Sequence, residues 1–251
     1  MLNIQDVISQ LNIIQQRSAA AKNCTGYFAV LYKRMTLAVA EGIANDAFED
    51  GKRMQRMDMI FAQRYFDAYE AYNSGKPCSA SWRSVFDACK NPKLVVLQHL
   101  LLGVNAHINL DLAIAAASVA AGSSIDALQK DFYRINDVIS SLVDDVQESL
   151  SQVWWPMRFI RKIVNGRDTA VLNFSIDKAR AASWANAVLL ANMNEGQRNV
   201  YIQQMDAATS ILGNGIQSPG WMMSNILRLV RMSEYDDIAR TIRLIDETVV
   251  K

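Results

Sequence analysis

Apolar residues recur at intervals of three and four along almost the whole chain, and strict alternation is nearly absent, which predicts an all-α fold. Ile4, Val7, Ile8, Leu11 and Ile14 form the stripe of a first amphipathic helix, and a second, longer one is predicted from Tyr27 to Ala44. A third runs from Arg53 to Tyr72 and is stopped by Asn73-Ser74-Gly75-Lys76-Pro77. A short helix over Trp82 to Ala88 leads to Asn91-Pro92, where the proline can start a long helix reaching to Gly122. Ser123 or Ser124 can cap the next helix, which runs to Val153. Pro156 breaks the chain after Trp154-Trp155, and Asp168 or Thr169 opens a helix through Asn192. Asn194-Glu195-Gly196 separates it from a helix ending near Leu212, and residues 213–220 read as the clearest loop and a candidate hinge. Two helices, Trp221 to Met232 and Glu234 to Val249, close the chain. The expectation is a single all-α domain over residues 1–251, a multi-helix, bundle-like domain built around the long central helix.

Composition narrows the class. With 51% hydrophobic residues in 251, the chain can bury a large core, and only 11 Gly and 4 Pro agree with helix over sheet. A formal net charge of +1, spread along the chain, gives no stripe for a phosphate backbone, so nucleic acid is not the expected partner. Cys24, Cys78 and Cys89 form neither a CxxC pair nor an even framework and are expected as reduced thiols. The start MLNIQDVISQ lacks the positive charge and apolar run of a signal peptide, and the run from Leu112 is too short to span a bilayer. A cytoplasmic protein without a transmembrane segment is the expectation.

The chemistry concentrates in HLLLGVNAHINLDL, residues 99 to 112, which holds both histidines. At about 100° per residue, His99, Gly103, His107 and Asp111 step by four and form one diagonal stripe among leucines. Gly103 opens a gap in that stripe for a close helix neighbour or the body of a ligand. His107 and Asp111, four apart, have the spacing to grip a divalent metal, the candidate cofactor, or to share a hydrogen bond. His99 lies about 12 Å from His107 along the axis, too far to ligate the same ion easily. Asn105 and Asn109 occupy the opposite flank and call for a different partner helix.

On the third helix Arg64 and Tyr65 lie beside the core face, with Asp58, and a guanidinium there must find Asp58, Asp67, Asp111 or an anionic ligand. Phe28, Tyr32 and Thr36 repeat at four on the second helix, a stripe suited to a pocket wall and equally to core. Asp131, Asn136 and Asp137, then Asp177, Arg180 and Trp184, add polar groups on apolar helices; Asp177 and Arg180 can pair with each other. WWPMRFIRKI and the Met-rich WMMSNILRLVRM read as a structural corner and as gap-filling core, with a membrane contact and a pocket wall as their alternatives. There is no GxGxxG, GxxxxGK, GxSxG or HExxH, so no nucleotide motif and no common hydrolase or zincin signature.

QHLLLGVNAHINLDL resembles the signature of a bacterial, all-helical family of uncharacterised proteins, a domain of unknown function recognised by an LGxNAHINxDL-like run. GYFAVLYKRMT, FAQRYFDAY, WRSVFDA and DFYRIND fit the same pattern in order, as does the region from Asp168 to Trp184, so the likeness covers most of the chain. It implies one helical domain, points to His99, Asn105, His107, Asn109 and Asp111, and brings no reaction with it. A looser similarity is to the helical zinc-dependent phospholipase C class, from which this chain departs by having only two histidines and no amino-terminal ligand segment.

The leading functional expectation is an internal, mainly apolar pocket that binds, and transforms, a small organic molecule. His107 oriented by Asp111 is its acid-base group, with His99 a further catalytic candidate that polarises the substrate, while Asn105, Asn109, Arg64, Tyr65, Tyr32 and Gly103 place it. Two alternatives stay open. One is a metal-dependent hydrolase or oxygenase using His107 and Asp111 with carboxylates such as Asp58 or Asp137; the other is a non-enzymatic interaction protein whose polar stripe only fixes packing. The alanine-rich face after Asp111 suits close packing within the chain or in a homo-oligomer.

Overall fold

The computed structural model describes residues 3–121, 124–136, 138, 176–234 and 236–247. Asp137, the helix predicted to Val153, the WWPMRFIRKI segment and the helix start at Asp168 lie outside the described residues, wholly or in part. Among the described residues there are helices and no strand. They are α1 (Ile4–Ala20), α2 (Thr25–Ala44), α3 (Gly51–Asn73), α4 (Ala80–Ala88), α5 (Val96–Ala106), a π-helical turn (His107–Asp111), α6 (Leu112–Val119) and a 3₁₀ turn (Ile125–Leu128). After these come α7 (Ile176–Ala191), α8 (Glu195–Gln217), α9 (Trp221–Ser233) and α10 (Ile238–Glu247).

Side-chain caps fix several helix starts. Asn3 accepts from Gln5 and Asp6 while Asp6 reaches back to the Asn3 amide, a capping box that α8 repeats with Asn194 and Gln197. Asp131 holds the entrance to α3 by accepting from the Glu49 and Asp50 amides at 2.7 and 3.1 Å and from Arg53 at 2.8 Å. The central helix begins at Val96, four residues later than its proline suggested. Asn91 to Leu94 form a turn instead, and Gln98 and Glu234 accept from the amides of Val95 and Val96. α5, the π turn and α6 then run continuously over Val96–Val119, 24 residues long and apolar enough to cross a membrane by length and composition. Of its most apolar stretch, 78% is buried inside the protein, so it is the core helix. Every residue from Leu112 to Ala117 is buried, and this small-residue segment packs against α3 and α7.

One expectation about the chain's layout is corrected. Residues 213–217 are not a loop: α8 continues through Gln217, and only 218–220 connect it to α9. Gly213 lies in the helix where α8 packs on α5; an added Cβ there would meet Leu102 at 3.5 Å and Asn105 at 3.6 Å, ordinary van der Waals contact. Tertiary packing here outweighs the low helix propensity of Gly-Asn-Gly. α9 buries Met223, Leu227 and Val230 against Val95, while Trp221, Met222, Leu229 and Met232 stand exposed.

The thiol expectation is also corrected. Cys24 and Cys89 are joined in a disulfide and Cys78 alone is free. The start of α2 meets the end of α4 with the two Cα atoms 5.5 Å apart, a tertiary approach that no sequence spacing encodes.

Candidate functional site

The site is built where α2, α3 and α4 close around the π turn. A π turn carries one more residue than the α-helix around it, which re-aims the side chains that follow. It places His107 Nδ1 3.1 Å from Asp111 Oδ2. Asp111 is wholly buried and is the hub of the network: Arg64 Nε donates to Oδ1 and Trp82 Nε1 to Oδ2, each at 2.8 Å. The carboxylate can only accept, so the His107 proton sits on Nδ1 and Nε2 presents its lone pair. Burial pushes the His107 pKa down, and the nearby Arg64 charge adds to this, while the bond and charge of Asp111 pull it partly back. The imidazole is therefore neutral and basic at one nitrogen.

Aromatic rings enclose that imidazole. Phe61 stacks on it with centroids 3.5 Å apart and planes 10° apart, and Tyr32 meets it edge-on at 4.4 Å. Phe28, Trp82 and Tyr65 complete the wall at 5.6, 5.9 and 6.3 Å. Three buried atoms have no hydrogen-bond partner, His107 Nε2, Tyr65 Oη and Asp58 Oδ2, and a fourth, Tyr32 Oη, has only the Thr36 hydroxyl beside it. The Thr36 hydroxyl, near Tyr32, donates to the Tyr32 carbonyl. Burial raises the phenols of Tyr32 and Tyr65, Tyr32 further through the charges of Asp58 and Asp111. Burial also pushes the Asp58 carboxyl up to about 7. A basic imidazole nitrogen and the un-ionised phenols of Tyr32 and Tyr65 thus lie among packed aromatic rings, with the Asp58 carboxyl near enough to act on Tyr32.

The sequence-selected residues divide into three groups. His107, Asp111, Arg64, Tyr65 and Tyr32 come together in the chamber. Asn105 and Asn109 do not: Asn105 Nδ2 donates to the Thr209 carbonyl of α8 at 2.9 Å, and Asn109 Nδ2 donates to Asn105 Oδ1 at 3.0 Å. Through Asn105 they tie the central helix to α8, the different partner helix their flank required. His99 stands apart too, with Nδ1 3.4 Å from Cys24 Sγ beside the disulfide. Burial and the Arg231 charge lower its pKa to about 4. A cleft lined by Cys24, Cys89, His99, Phe28, Tyr65 and Trp82 runs from the disulfide toward the chamber wall.

Gly103 holds these halves at their spacing. Its gap is filled by Phe28, whose Cδ2, Cγ and Cβ would lie 2.4, 2.5 and 2.9 Å from an added Cβ. Those are atoms near the root of the ring and cannot swing away. Gly103→Ala is expected to lose about 1–3 kcal/mol to overpacking, set against a gain of about 1 kcal/mol in helix propensity. Urea unfolding of Gly103→Ala, Phe28→Ala and the double variant should show strong non-additivity, because the second change vacates the space the first needs.

A metal on His107 and Asp111 is disfavoured by the same geometry. Both Asp111 oxygens accept from Arg64, Trp82 and His107, and the guanidinium beside the carboxylate opposes a cation. Sequence reading missed Trp82 and Phe61 as site members. Trp82 was visible only as the opening of a short amphipathic helix, and nothing along the chain signals the partner of an indole nitrogen. Asp177 and Arg180 do not supply a site either: Arg180 donates to the Phe132 carbonyl at 2.6 Å and to Asn136, with its guanidinium 4.8 Å over the Phe132 ring.

The model of the family of unknown function DUF5995 matches residues 4–219. The chain belongs to that family. The DUF5995 match takes in every residue of the chamber and of the cystine, and it stops in the short connection before α9. No curated protein and no solved structure matches the chain.

Proposed function

We propose that this DUF5995 protein binds a small organic molecule with an apolar body and a carbonyl or hydroxyl group in the His107 chamber, and moves a proton on it. The observation that carries this reading is the unpartnered, buried His107 Nε2 within a ring of aromatic side chains, with Tyr65 Oη and Asp58 Oδ2 also buried and unpartnered on the neighbouring helix α3. Buried polar atoms are normally satisfied, and several unsatisfied ones together are the signature of a site that completes its bonding with a ligand. In this reading Nε2 takes the proton as general base, Asp111 steadies the imidazolium, and Asp58 returns a proton as general acid. Tyr32 and Tyr65, un-ionised, donate to the oxygen on which charge develops. The aromatic walls supply the apolar contact that fixes the body of the molecule.

The test is a thermal-shift and ligand-observed NMR screen of small ketones, alcohols and phenols on wild type, His107→Asn and Tyr32→Phe. The carboxamide that His107→Asn introduces can still donate to Asp111, so that variant keeps the bond Asp111 needs while losing Nε2 and the outer part of the ring. Compounds that bind wild type and are lost from both variants, with unchanged circular dichroism, are the expected result. If hits bind His107→Asn as well as wild type, or if no compound binds at all, the polar core only fixes packing. A second reading, a helical interaction protein, is favoured by the exposed Trp221, Met222, Leu229 and Met232 of α9.

A further inference from the structure

We propose that Cys24, Cys89 and His99 form a redox-gated zinc site, closed as a disulfide and opened by reduction to a three-ligand centre with one free position. This site is separate from the His107 chamber and does not rest on its function. Three elements converge on it: Cys24 at the start of α2, Cys89 at the end of α4 and His99 on α5. Their ligand atoms lie within 4.8 Å of one another, and among the described residues this is the group of His, Cys, Asp and Glu side chains with the geometry to hold an ion. Zinc bonds of about 2.3 Å to sulfur and about 2.0–2.1 Å to nitrogen in a tetrahedron set ligand atoms roughly 3.6–3.8 Å apart. His99 Nδ1 already stands 3.4 Å from Cys24 Sγ. The sulfur-to-sulfur distance must grow, which breaking their bond permits, and Cys89 Sγ lies within 4.8 Å of the imidazole.

Two thiolates and an imidazole are a soft donor set that selects zinc over magnesium or calcium. The fourth position faces the cleft that Phe28, Tyr65 and Trp82 also line, which has the form of zinc sites that keep a place for water or substrate. The opening step needs a two-electron reductant, a dithiol in the natural case. Its thiolate attacks the sulfur of Cys89, the more exposed residue of the pair, forming a mixed disulfide as the Cys24–Cys89 bond breaks. The electron pair leaves on Cys24 Sγ, which the positive end of α2 stabilises as thiolate. The reductant's second thiol then displaces Cys89 and departs as a disulfide, two electrons having passed to the cystine. Zinc binds both thiolates and releases any protons they have taken up.

The experiment uses tag-free, full-length protein, either oxidised or reduced with a phosphine and held under argon. Each form is given zinc chloride, desalted and analysed for metal; cobalt(II) is used in parallel to report thiolate ligation by its charge-transfer absorption. Reduced protein should hold one zinc per chain and oxidised protein none, and cobalt should show bands of thiolate coordination only after reduction. Cys24→Ser, Cys89→Ser and His99→Gln should weaken zinc by more than roughly 100-fold, beyond the 10–100-fold that outer partners contribute. Cys78→Ser should leave binding unchanged. Failure of reduced wild type to bind zinc or to give the cobalt bands overturns the proposal, as do binding by the oxidised form and full affinity in His99→Gln.

Discussion

Asp111→Ala is expected to destabilise the protein by about 3–5 kcal/mol, the cost of stranding buried partners when one member of a buried ion pair is removed. The alanine would leave the Trp82 indole nitrogen and His107 Nδ1 without an acceptor in the core, and Arg64 without its carboxylate. For a chain of this length that loss lowers Tm by roughly 10 °C. Arg64→Met should cost far less, because the Arg64 side chain is 32% exposed and its loss leaves Asp111 two donors. Urea unfolding of both variants checks the order. A loss below about 1 kcal/mol in Asp111→Ala would mean that the network is not what holds α3 and α4 to the central helix.

The second large effect is a pH dependence at Asp58. Burial raises its carboxyl from the ordinary 3.8 to about 7 in the folded chain. A carboxyl raised on folding keeps its proton in the native state while the unfolded chain has lost it, so the unfolded state binds fewer protons and stability falls as pH rises. The stability tied to neutral Asp58 is fully present below about pH 4 and is lost up to about pH 7, at about 1.4 kcal/mol per pH unit. Glu234, also raised to about 7, falls in the same window, whereas the lowered pKa of His99 works in the opposite direction. The difference between Asp58→Asn and wild type isolates the one group. That difference should be small near pH 4, grow in favour of the variant to about 4 kcal/mol near pH 7, and then level. A flat difference would show that Asp58 is ionised and paired throughout. The same titration bears on the proposed function, in which an acid half-protonated near pH 7 would serve as partner to a neutral His107.

Much of the local structure was legible along the chain because helices are local objects. Asn3, Asn194, Ser79 and Ser124 cap helices through bonds to residues two or three positions on, and the three-and-four recurrence marks the buried faces that those caps frame. The HINLD run was legible as a hydrogen-bonded cluster for a similar reason: His107 and Asp111 meet within one turn, and polar groups among leucines must bond to something. Arg64 was recognisable as a cation in need of a carboxylate, with Asp111 among its candidates. By contrast, the long helix begins at Val96 because Glu234 and Gln98 stand ready to accept there, and α8 runs through Gly213 because α5 comes close enough to hold it.

By itself, then, the sequence determined the all-α class, most of the described helices apart from the start of the central helix and the end of α8, and the burial of the central helix. These follow from side-chain spacing and short-range hydrogen bonding, whose range is a turn or two. Only the tertiary structure decided which polar residues share a chamber. His99 and His107 lie on one helix, yet Phe28 seated on Gly103 puts the first beside a disulfide and the second in an aromatic cage. The pairing of Cys24 with Cys89 across 65 residues, and the Trp82 bond to Asp111, depend on how α2 and α4 meet the central helix. Packing between helices sets those distances, and the order of residues along one helix carries no record of its neighbours.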